Sequence, residues 1–369
     1  MYNIFTLNKI AACGLTKFDG AKYAAGEAVQ NPDAIMVRSA AMHDYDFNAN
    51  LAAIARAGAG VNNIPLERCS EAGIAVFNTP GANANAVKEL VICSLFMASR
   101  KVAESLDWCK TLKGEGDAVG KLVEKGKGAF AGPEIAGKTI GIIGLGAIGL
   151  LVAEAATALG MKAIGFDVVP CNAACVCMKT TVAEVFAEAD YITLHSPLND
   201  ATRGMVNADS IANMKDSVRI LNFARGELVD DASILAALES GKVGAYVTDF
   251  PTDAQIGAKG VTAIPHLGAS TPESEDNCAM MAADELIDYL EYGIIKNAVN
   301  LPNADLTKDF SARTCVIFAD GAQDALKGIL GADAFCAVKK GMGYMAADIA
   351  ADAAALTAIA GVKKVRVLG

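Results

Sequence analysis

Residues 138–149, Lys-Thr-Ile-Gly-Ile-Ile-Gly-Leu-Gly-Ala-Ile-Gly, carry an apolar strand directly into the pattern Gly-x-Gly-x-x-Gly. Few local structures satisfy it: the strand must be buried, the turn tight, and a helix must start at once. Gly144 allows the turn, Gly146 leaves no side chain in front of a phosphate, and Gly149 lets the helix lie close on the strand. The helix expected over Ala147 to Leu159 points its first amides, those of Ala147 and Ile148 among them, and its positive dipole end at that phosphate. Gly160 ends it. Asp167 closes the next apolar strand, Lys162 to Phe166, 18 residues after Gly149. That is near the offset at which a carboxylate accepts hydrogen bonds from the adenosine ribose. A 2′-phosphate would meet negative charge there, and Val168, Val169 and Pro170 offer no arginine to neutralise it. The expected cofactor is NAD rather than NADP.

Apolar strands alternate with helical segments along most of the chain, which argues for an α/β fold with parallel sheets. Strands are expected at Tyr2 to Leu7, Ala34 to Val37 and Ile74 to Phe77, with a helix from Leu51 to Ala57 ended by Gly58. Val87, Leu90, Val91 and Leu95 recur at helical spacing within a longer helix from about Ala86 to Arg100. The stretch Thr111 to Pro133 reads as a helical fragment plus a surface loop. Further strands follow at Tyr191 to Leu194, Arg219 to Asn222, Val243 to Thr248 and Val261 to Ile264, with a helix from Ala232 to Glu239 that Asp230 or Asp231 could cap. A long helix is expected from Pro272 to Tyr292 and a linker from Pro302 to Lys308. Beyond it the order β-α-β-β-α-β matches a ferredoxin-like module.

The chain has 369 residues, is 53% hydrophobic and carries a net charge of -10. At that length it should hold two or three domains, with substantial cores. The charge argues against broad nucleic-acid binding, which needs an excess of basic residues. No apolar run is long enough for a membrane span, and the N-terminus lacks a basic leader before an apolar stretch, so a soluble, cytoplasmic chain is expected. Cys171, Cys175 and Cys177 match no zinc-knuckle spacing and only three histidines exist, so no metal site is expected and the cysteines read as reduced thiols.

Open α/β sheets bind ligands at strand C-termini. Arg225 and His266 each follow directly on an apolar strand. A surface ion pair would account for the first alone, and a helix-entry hydrogen bond for the second. Beside a dinucleotide turn the pair has another use. An enzyme that removes hydride from a hydroxy acid needs a cation to fix the carboxylate and a group to take the hydroxyl proton. A guanidinium fork suits the first task and an imidazole the second.

With these residues in place, the chain resembles the D-2-hydroxyacid dehydrogenases, most closely their phosphoglycerate-oxidising branch with a C-terminal ACT-like module. The motifs that carry the resemblance are Gly144–Gly149, His195-Ser-Pro-Leu, Asn222-Phe-Ala-Arg-Gly-Glu-Leu-Val-Asp and Pro265-His-Leu-Gly-Ala-Ser-Thr. It implies two Rossmann-like or flavodoxin-like lobes with parallel sheets: a discontinuous substrate domain (1–98 and 275–304) and an NAD domain (99–274), with a cleft closing between them. A ferredoxin-like (ACT) domain follows at 309–369. Arg225 would hold the substrate carboxylate and His266 act as general acid/base. The acid that usually partners the histidine aligns with Ala254, so either Asp253, one residue earlier and one methylene shorter, substitutes or the acid is missing. Cofactor contacts are implied for His195, Ser196, Pro197, Asn222, Phe223, Ala224, Gly268, Asn83 and, at the nicotinamide carboxamide, Asp249. Substrate contacts are implied for Arg38, Ser39, Gly58, Ala59 and Gly60, with Arg38 or Lys9 supplying charge for a phosphate. The implied reaction is oxidation of 3-phospho-D-glycerate, the entry to serine biosynthesis, by a homodimer or higher homo-oligomer. Oxidation or reduction of another small 2-hydroxy acid, or NAD sensing without turnover, are the alternatives. The loop Asp320 to Asp324 lacks the family's Pro-Gly pattern, which speaks against feedback by serine.

Overall fold

In the computed structural model, which describes all 369 residues, five short strands open the chain. They are β1 (Tyr2–Thr6), β2 (Tyr23–Gly26), β3 (Ala34–Val37), β4 (Ala53–Arg56) and β5 (Ala75–Asn78), with helices α1 (Ala12–Leu15) and α2 (Leu66–Glu71) between them. The sheet is parallel with order β2-β1-β3-β4-β5, as in flavodoxin-like folds. Its residues alternate between two cores. Ala34, Met36, Ala53, Ala55 and Phe77 face one, and Ile35, Val37, Ile54 and Val76 face the other.

The helix expected at Leu51 to Ala57 is not there, because Ala53–Arg56 is a central strand paired on both sides. Alanine has the highest helix propensity of any residue, but burial on both faces of a sheet overrides that preference. No sequence signal marked β2 either.

The second compact stretch runs from Ala84 to Thr271. It begins with α3 (Ala84–Arg100), α4 (Val102–Thr111) and α5 (Val119–Gly126), so the region from Thr111 to Pro133 is more helical than its glycines and lysines suggest, with 3-10 turns at Gly116–Ala118 and Lys127–Phe130. Then come β6 (Thr139–Ile143), α6 (Ala147–Ala158), β7 (Lys162–Phe166), β8 (Cys177–Met178), α7 (Val182–Glu188), β9 (Tyr191–Leu194), α8 (Ala208–Ala212), β10 (Val218–Asn222), α9 (Asp231–Ser240), β11 (Val243–Thr248) and β12 (Val261–Ala263). The sheet order β12-β11-β10-β9-β6-β7-β8 reverses direction of growth at β6, the switch point of a doubly wound sheet. Asp230, not Asp231, caps α9 by accepting the Ser233 amide.

The chain then returns to the first unit, which comprises Met1–Asn83 and Pro272–Gly369. Helix α10 (Pro272–Tyr292) packs Ala279, Ala282, Ala283 and Leu286 into the core that holds Ala53 and Ala55, where small side chains on both elements allow close approach. The expected linker is packed only at its start: Pro302 and Ala304 are buried and Ala304 exchanges two backbone hydrogen bonds with Ile295, while Asp305, Thr307 and Lys308 are exposed. Then follow β13 (Arg313–Ala319), α11 (Gln323–Leu330), β14 (Phe335–Lys339), β15 (Met342–Ala347), α12 (Ala353–Thr357) and β16 (Val362–Leu368). They form an antiparallel sheet of order β14-β15-β13-β16, the ferredoxin-like arrangement. One face covers α11 and α12 through Val316, Phe318, Leu326, Met345 and Leu356. The other gives Cys315, Ile317, Tyr344 and Leu368 to the core shared with α10.

The fold is the expected α/β class with two parallel sheets and a small α+β module. No helix is long and apolar enough to cross a membrane.

Candidate active site

In the unit Ala84–Thr271 the three glycines of the turn meet three different constraints. Gly144 has φ +96°, and a Cβ there would lie 2.7 Å from the His195 carbonyl. A Cβ on Gly149 would lie 2.0 Å from the Gly144 oxygen. Gly146 differs: nothing lies within 4 Å of where its Cβ would be, and it is the N-cap of α6 with no side chain bonded over the helix end. The open space faces the first-turn amides of α6, Ala147 and Ile148 included, as a pyrophosphate requires. Asp167, at the end of β7, is fixed by two backbone amides: its Oδ2 accepts from Leu145 N at 2.6 Å and its Oδ1 from Val169 N at 2.9 Å. Val168 and Val169 beside it are exposed and uncharged. These residues fit NAD.

The turn's far wall is the end of β9. His195 N donates to the Ile143 carbonyl at 2.7 Å, its Nε2 lies 2.9 Å from Thr193 Oγ1, and Ser196 Oγ donates to Ile143 O. Burial pushes the His195 imidazole down to about 4, so it is neutral at pH 7. Pro197 is exposed next to them.

At the end of β10, Asn222 is fully buried and closes the following loop: its Nδ2 donates to Arg225 O at 2.8 Å and its Oδ1 accepts from Ala224 N at 3.2 Å. The Phe223 side chain joins the core. This leaves Arg225 extended and exposed, its guanidinium bonded only to the Ala224 carbonyl at 2.5 Å and making no ion pair. The surface salt bridge that would explain it away is not formed.

Beyond β11, Asp249 is buried and its Oδ2 accepts from Gly268 N at 3.0 Å, while its Oδ1 has no partner. Burial raises its carboxyl above the ordinary aspartate value, against the opposing pull of the Gly268 amide and of the His266 charge. An orphaned buried acceptor is costly unless a donor completes it, and the amide of a carboxamide is such a donor. His266 is exposed and its ring nitrogens make no hydrogen bond. The ring packs on Phe250, with centroids 4.4 Å apart at 47°. Asp253 is exposed without a hydrogen bond or ion pair, and Ala254 is exposed beside it, so neither is brought to His266. The next residue, Gln255, is buried, and with Thr252 it binds the Asp231 carboxylate.

The candidates in the other unit cluster at the ends of β3 and β4. Arg38 N donates to Asn8 Oδ1 at 3.0 Å, its carbonyl accepts from Arg56 Nε at 2.9 Å, and Asn8 Nδ2 reaches Ser39 Oγ at 3.4 Å. The Arg38 guanidinium meets Glu275 Oε1 at 2.8 Å, with both side chains about two-fifths exposed. Gly58 is buried at φ +149°, a backbone conformation that L side chains rarely adopt, beside the Arg56 guanidinium. Ala59 O accepts from Asn78 Nδ2, and Gly60 is partly exposed. Lys9 is exposed and unpaired, and Asn83 ends this stretch of the unit. Two residues of the site carried no signal in the sequence: Glu275, an acid among several at a helix start, and Phe250, one apolar residue after a strand.

Residues 92–268 match the family described as D-isomer specific 2-hydroxyacid dehydrogenase, NAD binding domain. The chain is 37% identical over 274 residues to a hydroxypyruvate reductase of Thermotoga maritima, covering 71% of this chain and 85% of that protein. It is 35% identical over 299 residues to the D-3-phosphoglycerate dehydrogenase of Bacillus subtilis, covering 76% of this chain and 53% of that one, so it spans about half the length of such relatives. Among solved structures, the NAD+-bound 3-phosphoglycerate dehydrogenase of Entamoeba histolytica superposes with a TM-score of 0.65 at 25% identity, over 81% of this chain and 98% of that one. The fold is also that of Rhodotorula graminis D-mandelate dehydrogenase, with a TM-score of 0.70 at 22% identity over 80% of this chain and 96% of that one.

Proposed function

This chain belongs to the D-isomer specific 2-hydroxyacid dehydrogenase family, an NAD-dependent enzyme family, and we propose that it oxidises 3-phospho-D-glycerate to 3-phosphohydroxypyruvate, the entry reaction to serine. The observation that carries the chemistry is Arg225 without an ion pair and the unbonded His266, after β10 and β12 on either side of β11, in the same sheet whose β6–α6 turn fits a dinucleotide. Arg225 holds the substrate carboxylate in its fork. His266 accepts the hydroxyl proton while the C2–H bond breaks and the C–O bond becomes a carbonyl. The chemistry that NAD supplies when bound is acceptance of the hydride. Asp249 would receive the carboxamide, the α6 amides would hold the pyrophosphate, and Asp167 would take the ribose hydroxyls. His195, Ser196, Asn222, Ala224 and Gly268 shape the wall around it.

Arg38 supports the phosphorylated substrate, with Lys9, exposed and without an ion pair, the other candidate cation. The Arg38–Glu275 ion pair favours a second reading, because a carboxylate already on the arginine weakens its claim on a phosphate. Under that reading the substrate is an unphosphorylated acid of the hydroxypyruvate or glyoxylate type. Steady-state rates with 3-phosphoglycerate and NAD, and with hydroxypyruvate or glyoxylate and NADH, decide between them. Arg38→Ala raises KM for phosphoglycerate alone under the first reading and leaves every KM unchanged under the second. His266→Ala lowers turnover by about 10²- to 10⁴-fold under both and leaves a measurable residual rate; hydride transfer at the parent rate in that variant would remove its role. A wild-type protein that binds NADH and turns over none of these acids would instead be an NAD sensor.

The partner proposed is a second copy of the chain. Helices α4 and α5 bury no residue within this chain and expose Val102, Leu106 and Val119 beside the Trp108–Phe130 ring contact. Leu106→Glu turns a dimer into a monomer in sedimentation if this face is the interface. The C-terminal module has the strand order of an ACT domain, and a cytoplasmic location suits unpaired thiols such as exposed Cys93, Cys109 and Cys177.

A further inference from the structure

A proton acceptor must be held with its ring facing the bond it works on, and an imidazole is ordinarily held by a hydrogen bond to its second nitrogen. His266 has none. Ala254 stands where an acid would be expected, Asp253 is exposed with no hydrogen bond or ion pair, and Asp249, whose carboxyl feels the His266 charge, bonds Gly268 N and not the ring. What touches the His266 ring is the ring of Phe250. The same Phe250 ring lies 5.9 Å from the guanidinium carbon of Arg225. Phe250 is itself well fixed. Its amide donates to Thr248 Oγ1 at 3.0 Å, and its carbonyl and Cβ lie 3.3 and 3.4 Å from where a Cβ on Gly226 would be. Two and five residues on, Thr252 and Gln255 tie the loop to Asp231 at 2.6 and 2.7 Å.

We propose that Phe250 is the positioning residue of this site: its ring orients both His266 and Arg225, and replaces the hydrogen-bonded acid as the support of the imidazole. This rests on the dehydrogenase reading, with His266 as acid/base and Arg225 as carboxylate holder. An aromatic face also suits the reaction, because it attracts the imidazolium that forms when His266 takes the hydroxyl proton. Arg225 on the same ring places the carboxylate holder and the proton acceptor in fixed register, so an error in one side chain displaces both.

The test uses the full chain with whichever 2-hydroxy acid it turns over. Phe250→Leu is expected to lower kcat/KM by about 10- to 100-fold, a part of the 10²- to 10⁴-fold that general acid–base catalysis contributes. Phe250→Tyr, which keeps the ring, is expected to restore it to within a few-fold, and NADH affinity measured by fluorescence is expected to stay unchanged. In a His266→Ala background, Phe250→Leu is expected to cost little more, since contacting groups that act as a unit are not additive. Phe250→Met serves the same comparison should the leucine variant not fold. Full activity in Phe250→Leu, a loss that adds fully to that of His266→Ala, or an equal loss of NADH affinity would overturn the proposal while leaving the dehydrogenase reading intact. A wild-type chain that binds NADH but oxidises and reduces no 2-hydroxy acid overturns both.

Discussion

Glu285 is a carboxyl group in a place that suits a neutral side chain. It lies in α10, only 5% exposed, with Oε1 accepting from Asn297 Nδ2 at 2.8 Å and Oε2 buried without a donor. Burial pushes it up to about 8, the Asn297 bond pulls it down, and Asp284 and Asp288 add to the rise. The folded chain therefore keeps a proton that the unfolded chain releases above its ordinary value of 4.5. The contribution is fully present below that value and is lost as pH rises through about 8. Glu285→Gln keeps the bond to Asn297 and removes the titration. It should unfold with a flatter pH dependence between 5 and 8.5 in urea melts, and be more stable than the parent at the upper end by about 1–3 kcal/mol. Parallel pH profiles for the two proteins would show that Glu285 does not titrate there.

At the scale of elements, the turn between β6 and α6 separates folding from binding. Gly149→Ala places a methyl on the Gly144 carbonyl and should cost about 1–3 kcal/mol in stability. Gly146→Ala meets open space, so its melting temperature should hold while NAD affinity falls. A Gly146→Ala protein that binds NADH as well as the parent would mean that no phosphate approaches this turn. The β6-turn-α6-β7 unit was legible in the sequence because strand, glycines, helix and acid each constrain the same few residues. The helix α10 was legible at both ends, with Pro272 at its start and Gly293 after its end. Strand β4 was not, since Ala53 and Ala55 are small for a reason that lies in α10, more than 200 positions away in the chain. Arg225 and His266 could be found because each follows a strand. The contacts that define their surroundings, Phe250 against both and the absence of Asp253 from His266, come from the fold of a loop anchored at Asp231, which no local pattern encodes.

At the scale of the molecule, the backbone passes between the two compact units at residues 83–84 and 271–272. The C-terminal module belongs to the first unit, where the sequence suggested a separate domain after a linker. Its sheet grips the end of α10: Arg366 donates to Tyr289 O and Leu290 O at 3.1 and 2.7 Å, Arg313 to Tyr292 O at 2.7 Å, and Tyr344 OH to Gly293 O at 2.6 Å. Arginines at a helix C-terminus satisfy carbonyls that have no partner in the helix and meet the negative end of its dipole. Lys364 on β16 also donates to the Ala49 and Leu51 carbonyls beside the N-terminal sheet, and Lys339 to Ala298 O. A chain ending at Lys308 is therefore expected to aggregate or to lose cooperative unfolding, as judged by recovery of soluble protein and circular dichroism. A soluble 1–308 chain that melts like the parent would show that the module is dispensable.

The buried side of that sheet has a consequence for how such a gene can change. Modules that hang from a flexible connector can be exchanged between proteins by recombination at the connector, because neither partner's core notices the swap. Here Cys315, Ile317, Tyr344 and Leu368 are part of the core that also holds α10 and the N-terminal strands. A crossover in the stretch Pro302 to Lys308 would thus deliver a foreign surface to a core shaped for these four residues, and only a module that had diversified together with α10 would be accepted.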